Sequence, residues 1–174
     1  LSGDAGDELF AGYRRYRFHM AAERLRGLMP DALRRPLFGA LGALYPKLDW
    51  APKYLRARTT FQELSVDAAE GFYRTVCKIP DATRAHLLSP QLRAAIDGFR
   101  PADLIRAAMD AAGTDDPLAR AQSADIRTSL VGDILTKVDR ASMAHSLEVR
   151  APLLDHTLVE WAATVPADLK IRSA

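Results

Sequence analysis

The feature of this sequence that most constrains its fold is helical periodicity between closely spaced prolines and glycines. Apolar residues recur at intervals of three and four in almost every segment, whereas alternating and β-branched runs are nearly absent. Ten prolines and ten glycines divide the 174 residues into segments of helix length. The sequence therefore predicts a mainly α fold in one compact unit, with the helical end of a larger α/β domain as the alternative.

Capping residues, prolines and glycines set the bounds of the predicted helices. These helices span residues 7–28, 31–45, 52–64, 67–78, 81–88, 91–96, 101–112, 117–130, 133–145 and 156–165. Pro36, Gly39 and Gly42 are expected to kink or split the second helix. Residues 147–152 are expected to be extended, because Pro152 disfavours helical geometry at the preceding residue.

Charge and cysteine content exclude several classes of protein. The formal net charge of +2 and the pI of about 8.8 are too mild to require nucleic acid or an anionic membrane as partner. The longest apolar run, residues 37–45, is far shorter than the roughly 20 residues that cross a bilayer. Cys77 is the single cysteine, which excludes an internal disulfide and favours a reducing compartment. We expect a soluble, cytoplasmic protein with no nucleic-acid or membrane partner.

The opening segment LSGDAGDELFAGY places two glycines and three acidic residues before an amphipathic helix. Gly3 and Gly6 would let the backbone approach a phosphate, and free N–H groups at the helix start favour an anion. Asp4 and Asp7 would repel a phosphate unless a divalent cation lies between, so the segment fits half of a magnesium-pyrophosphate site. The alternative is an ordinary helix start, with Asp4 as cap and Asp7 complementing the helix dipole.

A second charged segment, DILTKVDRASMAHSLEVRAPLLDH, lies near the end of the chain. Asp133, Lys137 and Arg140 share one helix face, where an acid four residues before a base is a common stabilising pair. Arg150 follows Glu148 by two residues, on the same side of an extended segment that we expect to be buried. Because a buried arginine requires a carboxylate or phosphate partner, this pair is either a structural ion pair or part of a site.

The histidines and Cys77 form no recognisable catalytic pattern. His19, His86, His145 and His156 share no metal-ligand spacing, and no Ser-His-Asp or Cys-His arrangement is apparent. We expect His145 to be a packed, hydrogen-bonded residue and Cys77 to be an inert core thiol.

Together the two charged segments resemble the ATP-using C-terminal synthetase domain of the glutamine-dependent asparagine synthetases. The family hallmarks stand here, in family order, as SGDAGDELFAGY (residues 2–13) and DRASMAHSLEVRAPLLD (residues 139–155), and VPADLK near the end also resembles the family pattern. The resemblance covers essentially the whole chain. It implies that residues 1–174 are part of one synthetase domain, the helical C-terminal portion of an α/β adenine-nucleotide α-hydrolase-like (ATP pyrophosphatase) fold.

The activity implied by the resemblance is an ATP- and Mg²⁺-dependent carbon-nitrogen ligase. Adenylation of the aspartate side-chain carboxylate would release pyrophosphate, and ammonia from a glutaminase domain of the same chain would then form asparagine. The family's upstream Ser-Gly-Gly-x-Asp-Ser loop and its glutaminase domain have no counterpart in this sequence, which begins at Leu1. We therefore expect a fragment that is inactive by itself, whose oligomeric state is open, a homodimer included.

Site residues follow from the resemblance position by position. Ser2, Gly3, Asp4 and Asp7 would line the nucleotide and intermediate pocket. Asp4 would lie near the acyl-adenylate and handle the ammonia proton, while Asp7 would be a magnesium ligand. Ala5 and Ala11 stand where the family commonly has glycine, and these small residues are expected to be tolerated.

The later segment would supply cations to the same site. The resemblance implies structural or pyrophosphate-side roles for Arg140 and Arg150, oriented by Asp139 and Glu148, and a phosphate contact for Lys137. Two other interpretations stay open. The enzyme could amidate or cyclise another carboxylate, as a β-lactam synthetase-like protein would, or the chain could be a non-catalytic helical interaction module.

Overall fold

The computed structural model describes residues 1–46, 57–96 and 98–171, and these residues are mainly α-helical with no β-strand among them. The prediction of a mainly α fold is thus confirmed. The α-helices in chain order are α1 (Gly6–Phe10), α2 (Arg14–Leu28), α3 (Asp31–Leu44), α4 (Arg58–Leu64), α5 (Ala68–Val76), α6 (Asp81–Leu87), α7 (Pro90–Ala95), α8 (Pro101–Asp110), α9 (Pro117–Asp125), α10 (Thr136–Met143), α11 (His156–Thr164) and α12 (Ala167–Lys170). A π-helical segment, Ile126–Leu135, joins α9 to α10, and Pro152–Leu154 form a 3₁₀ turn.

The chain divides into two compact units, so the prediction of one compact unit is wrong. The first unit combines Leu1–Met20 with Arg106–Ala174, and the second comprises Ala21–Ile105. Both charged segments identified in the sequence belong to the first unit. None of the helices in the described ranges is long and apolar enough to cross a membrane.

The first predicted helix is broken in two, so the prediction of one helix over residues 7–28 is wrong. Ala11 ends α1 in the left-handed region, at φ 57°, and the N–H of Gly12 donates to the carbonyl of Asp7 at 3.0 Å. A Cβ at Gly12 would lie 2.0 Å from Asp7 Oδ1, so only glycine fits here without moving that carboxylate. Helix propensity and periodicity do not reveal this break, because alanine favours a continuous helix when its neighbours allow one.

Two other predicted interruptions are absent. Pro36, Gly39 and Gly42 lie inside the continuous helix α3. The predicted gap between residues 130 and 133 is instead a π-helical segment, and the hydroxyl of Thr136, the first residue of α10, donates to the carbonyl of Val131 within it at 2.8 Å. Side-chain hydrogen bonds and packing thus continue helices that the turn-forming residues alone would end.

Side-chain capping is confirmed at four predicted helix starts but is wrong for Asp31 at the start of α3, where the N-cap is Pro30 and no side chain caps the helix. Asp67, Ser89, Asp116 and Asp155 each accept a hydrogen bond from a backbone N–H in the first turn of α5, α7, α9 and α11, respectively. Part of the predicted helix over residues 52–64 lies outside the described residues. Local side-chain chemistry therefore sets the starts of these four helices.

The core of the first unit packs α1 against the π-helical segment and α11. Ala5, Leu9, Leu130 and Ala162 are buried together, and Ile126, Ile134, Leu135, Leu153, Leu154 and Val159 pack around them. This cluster places the opening loop next to the 3₁₀ turn, since a Cβ at Gly6 would lie 3.1 Å from Leu153 Cδ1.

The second unit is centred on the contact between α3 and α4. Arg34 is fully buried at this contact, and its guanidinium donates to the carbonyls of Leu64 and Val66 and to Asp31. Phe38 stacks on Phe61 with ring centroids 6.0 Å apart. These contacts close α3 onto α4 through both terminal nitrogens of the buried guanidinium.

Burial of the later charged segment differs from the prediction. Val138 is half-buried, but Ala141, His145 and residues 147–150 are exposed, so the expected burial of the extended segment and of His145 is wrong. Within this helical stretch, Leu135 is the last residue that packs against the core cluster, and the next core residue is Leu153, so α10 and the extended segment lie between the two. In the second unit, Cys77 is half-buried and hydrogen-bonded to the carbonyl of Ile79 rather than enclosed in a core.

Ala5 is buried in the core of the first unit with a strained, left-handed backbone conformation. It lies at φ 77° and is only 2% exposed, a conformation that costs an L-residue about 1–2 kcal/mol. We expect Ala5→Gly to change the free energy of unfolding of the intact protein by less than about 1 kcal/mol, since relief of strain offsets the lost methyl contact. Ala5→Val should lower it by about 2 kcal/mol or more.

Urea denaturation checks this expectation, with the exposed helical Ala163→Val as control, for which helix propensity alone predicts a loss under about 1 kcal/mol. Equal losses for the two valine variants would contradict the strained conformation of Ala5.

Candidate active site

A main-chain hydrogen bond joins the two charged segments. The N–H of Ser2 donates to the carbonyl of Arg150 at 2.9 Å, and the hydroxyl of Ser2 donates to Asp4 Oδ2 at 2.7 Å. The two segments line one open cavity of about 580 Å³, which we call the loop cleft; its charged and hydroxyl-bearing lining residues are Ser2, Asp4, Asp139, Arg150 and Asp155.

Three carboxylates and one guanidinium define the charge of the loop cleft. Hydrogen bonds from Thr157 hold the pKa of Asp155 below its usual range, so this carboxylate is ionised at neutral pH. Asp4 is half-buried and held by the hydroxyl of Ser2. The cleft therefore suits a cation or a cation-bound anion better than a bare phosphate.

Arg150 forms the ion pair with Glu148 that the sequence suggested. Its Nη2 donates to Glu148 Oε1 at 2.6 Å, but the two side chains are 76% and 72% exposed. An exposed pair of this kind contributes at most about 1 kcal/mol. The guanidinium can therefore exchange Glu148 for another anion at little cost.

The other predicted site residues lie outside the lining of the loop cleft. Gly3 is exposed and would have open space around a Cβ, so the backbone there is accessible. Asp7 is exposed in the first turn of α1. Lys137 and Arg140 are exposed on α10, next to the cleft residue Asp139 in sequence. Their roles stay predictions.

The carboxylates of the loop cleft fit a magnesium ion only as a partial set of ligands. Mg²⁺ prefers oxygen ligands and usually keeps waters, taking one or two protein carboxylates together with substrate phosphates. Within the described ranges, no group of three or more His, Cys, Asp or Glu side chains could hold a metal ion by itself. Asp4, Asp139 and Asp155 have the right chemistry for an ion brought by a nucleotide.

A buried ion pair missed in the sequence supports the opening loop. Asp125 on α9 is 1% exposed, and its Oδ2 accepts from Arg15 Nη2 at 2.8 Å and from the hydroxyl of Tyr16 at 2.5 Å. The guanidinium of Arg15 also lies 3.7 Å from the ring centroid of Tyr13, whose hydroxyl donates to Glu8 Oε1 at 2.8 Å. These contacts connect α9 to both sides of the break between α1 and α2.

Both tyrosines in this network act as stable hydrogen-bond donors. Burial and the hydrogen bond to Glu8 raise the pKa of Tyr13 to about 12. Burial and the neighbouring Asp125 raise the pKa of Tyr16 further above its usual range. The sequence offers one clue, since Asp125 occupies a buried position among the alanines of α9, where an ionisable residue needs a partner.

Arg15→Met should destabilise the intact protein by about 3 kcal/mol, because it leaves the Asp125 carboxylate buried without its cation. Adding Asp125→Asn should restore about 1 kcal/mol or more, since the amide carries no charge. Thermal or urea unfolding of the two single variants and the double variant measures this coupling.

The control is Arg35→Met, which removes an ion pair with Asp31 in which both side chains are more than half exposed, and should cost under about 1 kcal/mol. Strictly additive losses at Arg15 and Asp125 would show that the pair is not coupled.

The comparisons with known proteins identify the family. A family model described as asparagine synthase matches residues 1–174, so the chain belongs to the asparagine synthase family. A Mycobacterium tuberculosis protein, provisionally named a glutamine-hydrolysing asparagine synthetase, is 34% identical over 175 residues, covering 98% of this chain and 24% of that protein. The resemblance deduced from the two charged segments is thus confirmed.

A second relative is the glutamine-hydrolysing asparagine synthetase 1 of Bacillus subtilis, 28% identical over 173 residues, covering 99% of this chain and 26% of that protein. The chain spans about a quarter of the length of these curated relatives. No significant match to a solved structure was found.

Proposed function

We propose that this chain forms part of a glutamine-dependent asparagine synthetase and that the loop cleft belongs to its ATP-using site. The observation that carries the proposal is the hydrogen bond from Ser2 to Arg150, which joins the two family segments at one cavity. Membership of the asparagine synthase family supports an ATP-dependent ligase role. Residues 1–174 would then be the helical part of one α/β adenine-nucleotide α-hydrolase-like domain in a cytoplasmic enzyme.

The proposed reaction has two chemical steps. An oxygen of the aspartate side-chain carboxylate attacks the α-phosphate of ATP, and the bond to the β-phosphate breaks with release of pyrophosphate. Ammonia from a glutaminase domain of the same protein then attacks the acyl carbon, AMP leaves, and the new amide nitrogen loses a proton. Bound Mg²⁺ would neutralise charge on the phosphates.

In this proposal Asp4 accepts the proton that the attacking ammonia loses. Its half-buried carboxylate is oriented by the hydroxyl of Ser2, and it lies in the loop cleft beside Arg150. A positioned carboxylate of this kind typically accelerates proton transfer by about 10²–10⁴. The exposed backbone at Gly3 would admit a phosphate, and Asp7 would serve as a magnesium-side ligand at the start of α1.

Cations would act on the leaving pyrophosphate. Arg150 is the guanidinium of the loop cleft, and its exposed pair with Glu148 can yield to a phosphate. Arg140 and Lys137 on α10 would add positive charge nearby. Aspartate is the proposed acceptor, while related enzymes acting on another carboxylate and a non-catalytic helical module are the alternatives that the experiment separates.

Asp4→Asn should lower the steady-state rate of aspartate-dependent pyrophosphate release by about a hundredfold or more, because each turnover must pass through the ammonia step that Asp4 assists. The assay uses the intact protein with ATP, Mg²⁺ and ammonia, with and without aspartate. Asp103→Asn, on the exposed surface of α8, serves as the matched control and should retain activity. Release that requires a different acid would favour another acceptor, whereas the absence of release with any carboxylate would favour a non-catalytic module.

Arg150→Gln should lower kcat/KM for ATP by about a hundredfold, because one positive charge aimed at the leaving group is lost. Glu148→Gln removes only the exchangeable partner and should change the same parameter by less than about tenfold. Steady-state kinetics on the two variants provide the comparison. A larger effect from Glu148→Gln would indicate that the ion pair itself, rather than the free guanidinium, is required.

A further inference from the structure

Gln122 on α9 binds the end of the short helix that carries the opening loop. Its Nε2 donates to the carbonyl of Glu8 at 2.6 Å and to the carbonyl of Leu9 at 2.9 Å, and the side chain is 5% exposed. The last carbonyls of an α-helix have no partner within the helix. The two N–H donors of one amide therefore cap the C-terminal end of α1.

Lys170 on α12 orients this amide. Its Nζ donates to Gln122 Oε1 at 3.1 Å, and burial lowers the pKa of Lys170. Because an ammonium group can only donate hydrogen bonds, the oxygen of the Gln122 amide must face Lys170. The NH₂ group of the amide, with both its N–H donors, then faces α1. Lys170, Gln122 and Glu8 line the same cavity of about 440 Å³, separate in its lining from the loop cleft.

We propose that Lys170 and Gln122 act together as positioning residues for the catalytic loop over residues 2–7, an inference that rests on the proposed function. The helix α1 has five residues and is about 7.5 Å long, so it transmits displacement of its C-terminal end to the loop at its N-terminal end. Asp4 lies two residues before this helix. Lys170 therefore acts through Gln122 and α1 rather than by touching a phosphate.

The test compares Gln122→Met, Lys170→Met and the double variant in the intact protein. Each single variant should lower kcat/KM for aspartate-dependent pyrophosphate release by roughly ten- to a hundredfold, mainly through kcat, because the reacting groups are misplaced. The double variant should be no worse than Gln122→Met, because the proposal has Lys170 act on α1 through its hydrogen bond to Gln122. Lys170→Arg keeps a cationic donor and should recover most of the activity.

Arg120→Met is the matched control, since it removes a cation from the same helix α9, where Arg120 pairs with Asp110 on the surface. It should leave kcat and KM unchanged. If the double variant lost kcat/KM by the product of the two single-variant factors, Lys170 and Gln122 would act independently and the proposal would be overturned.

Hydrogen–deuterium exchange supplies a readout that does not depend on catalysis. Both single methionine variants should raise amide exchange in residues 5–12 and leave exchange in α5, in the second unit, unchanged. Unchanged exchange in residues 5–12 would overturn the positioning role. If the wild-type protein releases no pyrophosphate with aspartate, the proposed function fails, and the exchange experiment still decides whether Lys170 and Gln122 order the loop.

Discussion

The candidate site depends on polar side chains of α9 that hold the short helix α1 in place. Gln122 caps the last carbonyls of α1. One turn later on α9, Asp125 accepts hydrogen bonds from Arg15 and Tyr16 at the start of α2. The partners of Gln122 precede the break at Ala11, and the partners of Asp125 follow it. Because Gln122 and Asp125 are both buried, their hydrogen bonds are costly to leave unmade, and the break in the helix is specified by partners more than 100 residues away.

This support explains how an exposed loop can hold charged side chains in fixed positions. Among the described residues, Ser2 binds the backbone of Arg150 and the carboxylate of Asp4, and Ala5 enters the core. The charged groups of the loop cleft line an open cavity, while buried hydrogen bonds from Gln122 on α9 hold the helix α1 that follows the loop. Accessible charge on a well-held backbone is the arrangement that the proposed nucleotide site requires.

Some parts of the fold and site could be predicted from local sequence chemistry. Asp67, Ser89, Asp116 and Asp155 cap helices as expected, because a capping side chain bonds the backbone two or three residues away and needs no distant partner. The pairing of Glu148 with Arg150 followed from their spacing alone. Burial of that pair could not be predicted, since it depends on whether another element covers the extended segment.

The sequence by itself determined that this protein is mainly helical, where most helices begin, and that it belongs to the asparagine synthase family. These features depend on periodicity, capping and two motifs, each of which is contained in a short segment. Only the tertiary structure decided that the first helix breaks at Ala11, that the π-helical segment replaces a predicted gap, and that Gln122 and Asp125 support the loop. Their positions depend on hydrogen bonds and packing between segments far apart in the chain, for which local patterns carry no information.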